Sequence, residues 1–194
     1  SIFYEKYHLE YSSIGEYQEK AIHFILKNYF ENNLDNMEVK INGKVCDIFN
    51  EEGIIEIQTR SFDRLRSKLD VFLDEYDVTI VYPLIKSKKI TWLNSEKEKD
   101  YNRKSPMHMN IFNEFKELYK IKTYLKHEKI HFCFVFMDIV EFKNLDGYGK
   151  DMKKKASSFN KLPISISEII NIDNYKDFIL IFDGDEGEFT SKTL

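Results

Sequence analysis

The chain has 194 residues, of which 42% are hydrophobic and 15% aromatic, with seven glycines and three prolines. This composition excludes disordered, collagenous and low-complexity chains and predicts a packed globular protein. Cys46 and Cys133 lie in apolar segments without metal-binding spacing, which predicts a reducing compartment and no disulfide scaffold. Because no apolar run approaches the roughly 20 residues of a membrane helix and no signal pattern opens the chain, we expect a cytoplasmic protein.

The net charge of −4 is unevenly distributed along the chain. Residues 171–194 carry six acids against two lysines, which accounts for the whole excess and leaves residues 1–170 neutral. Within that neutral part, residues 143–161 are locally basic and rich in lysine. Three of the four arginines fall within seven positions, so arginine is clustered as well.

Turn signals and hydrophobic period predict the elements of a first domain over residues 1–142. Apolar spacing favours an amphipathic helix over 13–31, and Asn42-Gly43 favours a type I′ hairpin. A second tight turn adds a third antiparallel strand, and Ser61 caps the helix that follows. The next elements predicted in this domain are strands over 78–83 and 89–93, separated by a short lysine-rich turn. A loop over 94–107, a helix over 110–125 and a buried strand over 130–139 follow. The fold class is therefore mixed α/β, an α+β sheet flanked by helices.

Residues 143–194 read as a basic connector and a partial helical segment. Ser165-Ile-Ser-Glu168 resembles a capping box that opens a short helix, and residues 175–182 form a second apolar stretch. We expect this segment to be a truncated small domain, with a winged-helix-like recognition module as one interpretation.

Acidic residues of the three consecutive strands are predicted to share one face. With two-residue turns, Glu38 lies opposite Asp47 and Asp47 lies opposite Glu56, at Cβ separations of about 4.5–5.5 Å. Gln58 shares this face. Because such a row of carboxylates repels itself, a divalent cation, Mg²⁺ or Mn²⁺, is the simplest way to stabilise it. A solvated acidic sheet face is the alternative.

Asp47 at the end of one strand, followed by Glu56-Ile57-Gln58 in the next, resembles the motif of the PD-(D/E)XK, or restriction-endonuclease-like, nuclease superfamily. The resemblance covers residues 13 to about 140 in element order. It implies a restriction-endonuclease-like core that hydrolyses phosphodiester bonds of DNA, with RNA as an alternative, using Mg²⁺ or Mn²⁺. It also implies that Asp47, Glu56 and the Ile57 carbonyl are metal ligands, and our acidic row adds Glu38 to them.

Gln58 stands where this superfamily has a lysine, and glutamine supplies no positive charge. Lys68 on the following helix, or Arg60 just beyond the motif, is the candidate replacement. Members of the superfamily often add an acid from the first helix, for which Glu19 is the candidate and Glu16 the alternative.

Basic residues in three places are expected to hold nucleic-acid phosphates and to make binding salt-dependent. They are Arg60, Arg64, Arg66, Arg103, Lys104, Lys153, Lys154 and Lys155. Two other hypotheses remain open: a catalytically inactive nuclease fold that only binds nucleic acid, and an α/β interaction protein without a nucleic-acid role.

Overall fold

The computed structural model describes residues 20–93, 99–105, 116–145 and 157–182. The helices are α1 (Lys20–Phe30), α2 (Arg66–Phe72), the 3₁₀-helices Leu34–Asn36, Phe62–Leu65 and Tyr175–Phe182, and a helical turn at 116–119. The strands are β1 (Lys40–Ile41), β2 (Lys44–Val45), β3 (Ile48–Asn50), β4 (Gly53–Ile57), β5 (Val78–Leu93), β6 (Lys99–Lys104), β7 (Ile130–Asn144) and β8 (Ser157–Ile172). None of the helices in these ranges combines the length and apolar character needed to cross a bilayer.

The main sheet has the strand order β3-β4-β5-β7-β8, and β6 pairs with β5. Strands β1 and β2 form a separate hairpin. Pairing is antiparallel between β3 and β4 and between β5 and β6, whereas β4 and β5 are parallel. The sheet is therefore mixed and is accompanied by a few helices, which confirms the predicted fold class.

The described residues fall into two compact units. Unit 1 contains residues 20–30, 83–93, 99–105, 135–145 and 157–168, and unit 2 contains residues 31–82, 116–134 and 169–182. In unit 1, Ala21 of α1 packs with Leu93 and Phe142 in a buried apolar cluster. In unit 2, the ring of Tyr82 meets Phe62 and Phe134 edge-on, at centroid distances of 4.8 and 6.4 Å.

Both tight turns occur as predicted, in the predicted register. Asn42 and Gly43 have φ of 47° and 83°, the two positive values that a type I′ turn requires, and Lys40 lies opposite Val45. In the second turn, Asn50 lies opposite Gly53, and the Asn50 side chain accepts a hydrogen bond from the Glu52 N–H at 3.0 Å. This side-chain turn and the positive φ of Gly53 fix the register of β3 against β4.

The lysine-rich turn predicted between residues 83 and 89 is wrong, because β5 runs unbroken through this segment. Strand β4 pairs with Val78–Val81 and β6 pairs with Lys89–Leu93, so Pro83 falls between these two ladders, where its missing N–H is tolerated. The segment contains no residue that favours a positive φ, and Lys88 forms an ion pair with Glu141 of β7 at 2.8 Å. Contacts with neighbouring strands thus hold a polar stretch extended.

Two further corrections concern strands that were predicted as loop or helix. Residues 99–104 form β6 instead of a loop, because they pair with β5. No hydrophobic pattern in this polar segment predicts that pairing. Ser165 does not open a helix, because β8 continues to Ile172. Its hydroxyl donates to Asp138 at 2.9 Å, and the Ser167 hydroxyl donates to the Phe136 carbonyl at 3.2 Å. The alternating serines are therefore a strand pattern rather than a capping box.

Two predicted helices lie partly outside the described residues, at 13–19 and 110–115. Helix α1 covers 20–30, and residues 13–19 lie outside the description. Ser61 precedes a 3₁₀-helix, but its side chain makes no capping hydrogen bond. Between 116 and 126, only residues 116–119 are helical. The Lys120 carbonyl accepts a hydrogen bond from the Arg66 guanidinium, and the Tyr124 backbone N–H donates to the Ile121 carbonyl instead of to Lys120. The domain boundary at residue 142 stays a prediction.

Gly53→Ala is expected to destabilise the protein at least twice as much as Gly43→Ala. At Gly53, φ is +107° and an added Cβ would lie 2.5 Å from the Asp77 carbonyl oxygen, whereas at Gly43 φ is +83° and the space is open. The control should lose about 1–2 kcal/mol, the cost of a left-handed non-glycine residue. Urea unfolding measures both, and equal losses would contradict the close approach at Asp77.

Candidate active site

Asp47 and Glu56 lie side by side, as the turn geometry predicts. The antiparallel pairing of Ile48 with Ile55 places the position before Ile48 next to the position after Ile55, although the strand itself is interrupted at Asp47. The Asp47 carboxylate accepts a hydrogen bond from the Ile57 N–H at 2.8 Å, and the Asp47 N–H donates to the Glu56 carboxylate. Two acids from neighbouring strands are thus brought together, each tied to the other strand.

Lys68 of α2 completes the centre. Its ammonium lies 2.9 and 2.8 Å from the two carboxylate oxygens of Glu56, whose residue is only 2% exposed. Because the crossover from β4 through α2 to β5 returns along the sheet, this helix carries a lysine to the acidic strand. We call Asp47, Glu56 and Lys68 the Glu56 cluster.

The pKa of Glu56 is raised from 4.5 to about 7. Burial of the carboxylate is the largest cause of this rise, and the negative charge of Asp47 is the second. Together they outweigh Lys68, whose charge and hydrogen bonds lower the pKa of Glu56. Cys46 is buried in the same region, and burial followed by the charge of Glu56 raises the pKa of its thiol to about 11. Its thiol donates to the Val39 carbonyl at 3.2 Å, so Cys46 is a packing residue without thiolate character.

Gln58 does not join this cluster. Its side-chain amide donates to the backbone carbonyls of Arg60 and Ser61, the latter at 3.1 Å, and so stabilises the turn after β4. The Glu117 carboxylate accepts the Phe62 N–H at 3.0 Å on the other side of this turn. Sequence reasoning missed Glu117, because its role depends on a contact between distant segments. Lys68, not Gln58, supplies positive charge to the acids.

The predicted row of three carboxylates is not formed. Glu38 keeps the predicted register, because its N–H donates to the Asp47 carbonyl at 3.0 Å, but its φ is +55° and its side chain is exposed. Across the described part of the chain, no group of three or more His, Cys, Asp or Glu side chains converges to hold a metal ion. The strand register predicts the backbone pairing of Glu38 with Asp47 correctly. The left-handed backbone at Glu38 interrupts the alternation of side chains between the two sheet faces, and the predicted row of carboxylates requires that alternation.

Several predicted site residues lie outside the described residues. They are Glu16, Glu19, Lys153, Lys154 and Lys155. On α1, one and two helical turns after Glu19, His23 is half-buried and Lys27 is buried.

The three arginines after β4, Arg60, Arg64 and Arg66, are exposed residues. Arg66, although exposed, donates to the Lys120 carbonyl through Nε at 2.8 Å and through Nη2, and it lies 3.7 Å from Asp63. Its guanidinium therefore joins segments of unit 2. Arg103 and Lys104 are exposed residues of β6 in unit 1.

Comparison with known proteins places the chain in a family. Residues 20–173 match the family described as Domain of unknown function (DUF8091), and the chain belongs to that family. It is also 28% identical over 159 residues to an uncharacterized protein of Treponema pallidum (strain Nichols), a match that covers 80% of this chain. The matched stretch covers 63% of that relative, so the chain spans less than two thirds of its length. No solved structure matches the chain.

Glu56→Gln is expected to remove a pH dependence of stability between pH 4.5 and about 7. Since the pKa of Glu56 is higher in the folded protein than in an unfolded chain, the folded state holds the proton more tightly, and this stabilisation is complete below pH 4.5 and lost as the pH rises through about 7. The loss is on the order of 3 kcal/mol.

Urea unfolding of the wild type and the Gln variant at a series of pH values measures this difference. Glu51→Gln, in the exposed turn before β4, serves as the control. Parallel stability curves for the wild type and Glu56→Gln would contradict the raised pKa.

Proposed function

We propose that the chain is a metal-dependent nuclease that hydrolyses DNA phosphodiester bonds, with the Glu56 cluster as its catalytic centre. The observation that carries this proposal is the buried Glu56 carboxylate, adjacent to Asp47 and held at 2.8–2.9 Å by the Lys68 ammonium. Buried ionisable groups with strongly shifted pKa values cluster at functional sites. The cluster also matches the acid, acid and base composition of the PD-(D/E)XK motif, with the base displaced to the following helix.

The donor set suits a hard divalent cation. Asp47 and Glu56 supply carboxylate oxygens, and Mg²⁺ typically takes one or two carboxylates together with waters and substrate phosphate. The charge of Asp47 raises the pKa of Glu56, so the two carboxylates repel each other, and a cation bound by them would relieve that repulsion. The carbonyl of Ile57, whose N–H already binds Asp47, is the third candidate ligand.

The residues of the Glu56 cluster would have different roles in hydrolysis. A bound Mg²⁺ or Mn²⁺ lowers the pKa of a coordinated water and stabilises the charge that develops on the scissile phosphate. Asp47 and Glu56 hold the site, and the Asp47 carboxylate is oriented by the Ile57 N–H. Lys68 would provide the positive charge that Gln58 lacks, beside the carboxylate of Glu56.

Cleavage of supercoiled plasmid with Mn²⁺ tests the assignment of Lys68 against Gln58. Lys68→Met is expected to lower the cleavage rate by about 10²–10³, the typical cost of removing one charge-stabilising donor. Gln58→Ala is the matched control and should keep most of the activity, because its amide binds only backbone carbonyls. A larger loss in Gln58→Ala than in Lys68→Met would contradict this assignment.

Isothermal titration with Mn²⁺ tests the acids. Asp47→Asn and Glu56→Gln should each weaken Mn²⁺ binding and abolish cleavage, whereas Glu51→Gln should leave both unchanged. Wild-type protein that is folded but neither binds Mn²⁺ nor cleaves would overturn the nuclease proposal.

A second candidate is a nuclease-fold protein that binds nucleic acid without cleaving it. It is favoured by the composition of the Glu56 cluster, which has only two acids among the described residues. Nucleic-acid binding in the absence of Mn²⁺ binding would support this candidate over the enzyme.

A further inference from the structure

A basin of about 450 Å³ lies in unit 1, apart from the residues of the Glu56 cluster. It is lined by Ser87, Lys88, Lys89, Arg103, Lys104, Asp138, Ile164 and Ser165. The lining residues include four basic residues, one acidic residue and two serines. We call this set the β6 basin.

Two lysines face each other across its β-ladder. Lys89 of β5 lies directly opposite Lys104 of β6, and both are exposed. Directly opposed residues project to one face with Cβ atoms about 4.5–5.5 Å apart, and like charges in such pairs destabilise a sheet. An anion bound between the two ammonium groups would reverse this repulsion, and phosphate is the anion that lysine binds well.

The other two cations have partners within the protein. Lys88 lies 2.8 Å from the Glu141 carboxylate. The Arg103 guanidinium lies over the Trp92 ring, 5.5 Å from its centroid. Strand alternation also places Lys88 and Arg103 on the face opposite to Lys89 and Lys104. Lys89 and Lys104 are therefore the two basic residues of the basin that share one face of the sheet.

Asp138 distinguishes the basin from a simple phosphate site. The Ser87 hydroxyl donates to Oδ1 of Asp138 at 2.6 Å, and the Ser165 hydroxyl donates to Oδ2 at 2.9 Å. These bonds fix a half-buried carboxylate in the basin that contains the lysine pair. Because an ionised carboxylate repels a bare anion and accepts only from donors, the basin suits a ligand with both a phosphate and O–H or N–H donors.

We propose that the β6 basin binds a nucleotide unit, with its phosphate on Lys89 and Lys104 and a sugar hydroxyl or base N–H on Asp138. The volume lies at the lower end of the roughly 300–1,000 Å³ typical of ligand sites, which suits one nucleotide. A free nucleotide and a nucleotide within a strand offer this same chemistry. The proposal does not rest on the nuclease activity, since it uses none of the residues of the Glu56 cluster.

Binding measured in EDTA separates this proposal from cleavage. The probes are 5′-AMP, followed by calorimetry, and a fluorescein-labelled 12-nucleotide RNA, followed by anisotropy. We expect Lys89→Ala/Lys104→Ala to weaken binding at least tenfold, and Lys40→Ala/Lys86→Ala, which removes the same charge from exposed positions outside the basin, to leave it unchanged. Loss with both probes identifies a free nucleotide as the ligand, and loss with the RNA alone identifies a strand.

Folding of the double variant is checked by thermal unfolding. Because the substitution removes a like-charge pair, its Tm should equal or exceed that of the wild type. A folded double variant with unchanged affinity, or an equal loss in the control, would overturn the proposal.

Asp138→Asn tests the donor contact. It should weaken 5′-AMP binding severalfold and strengthen binding of inorganic pyrophosphate, because it removes a carboxylate that accepts from the nucleotide and repels the bare anion. Parallel changes for the two probes would overturn the assignment of Asp138.

Discussion

The buried ion pair between Glu56 and Lys68 is the interaction on which the centre of unit 2 depends. Removing a carboxylate from water costs several kcal/mol even after relaxation, and a second carboxylate beside it adds to that cost. Lys68 offsets part of the cost with two hydrogen bonds, yet the pKa of Glu56 remains raised. Well-packed apolar residues of similar volume often stabilise a fold as well as a buried ion pair does. Stability alone therefore explains poorly why this position carries three ionisable groups.

The geometry of the cluster comes from short-range turn chemistry and one long connection. The turn from Asn50 to Gly53 sets the register of β3 against β4, and this register places Asp47 beside Glu56. The connection after β4 brings α2 back over the strand, so that Lys68 reaches Glu56 from 12 positions away. Gly53 closes the turn and lies directly before the first residue of β4 that pairs with β5. Its backbone passes so close to Asp77, just before β5, that a side chain cannot be accommodated.

The parts of the fold that could be predicted are those that depend on neighbouring residues. Asn42-Gly43 and Asn50–Gly53 determine their turns through φ preference and a local side-chain hydrogen bond, and the structure has both in the predicted register. Strand β6 and the middle of β5 depend on distant partners, so polar residues there suggested loops. Ser165 was read with a helical capping pattern, although its partner, Asp138, lies 27 positions earlier.

In the candidate site too, the features set by neighbouring residues could be predicted, and those set by distant contacts could not. Asp47 and Glu56 followed from register and motif spacing, because both depend on adjacent strands. The motif left the location of the positive charge open between Lys68 and Arg60, and only the path of α2 selects Lys68. Glu38 shows the limit of register arguments, since its N–H pairs as predicted while its backbone is left-handed at φ +55° and no group of three acids forms among the described residues.

An acidic centre creates an electrostatic difficulty for a polyanionic substrate, because two carboxylates repel each phosphate that approaches. Arg66 cannot fully compensate, since its guanidinium is engaged with the Lys120 carbonyl and Asp63. Positive charge for holding phosphates must therefore come from side chains that the fold leaves exposed. That condition is met by Arg60, Arg64, Lys89 and Lys104. In the proposed basin, a bound phosphate would offset the repulsion between the two opposed lysines. The two proposals thus assign catalysis to residues of unit 2 and anion binding to a lysine pair of unit 1.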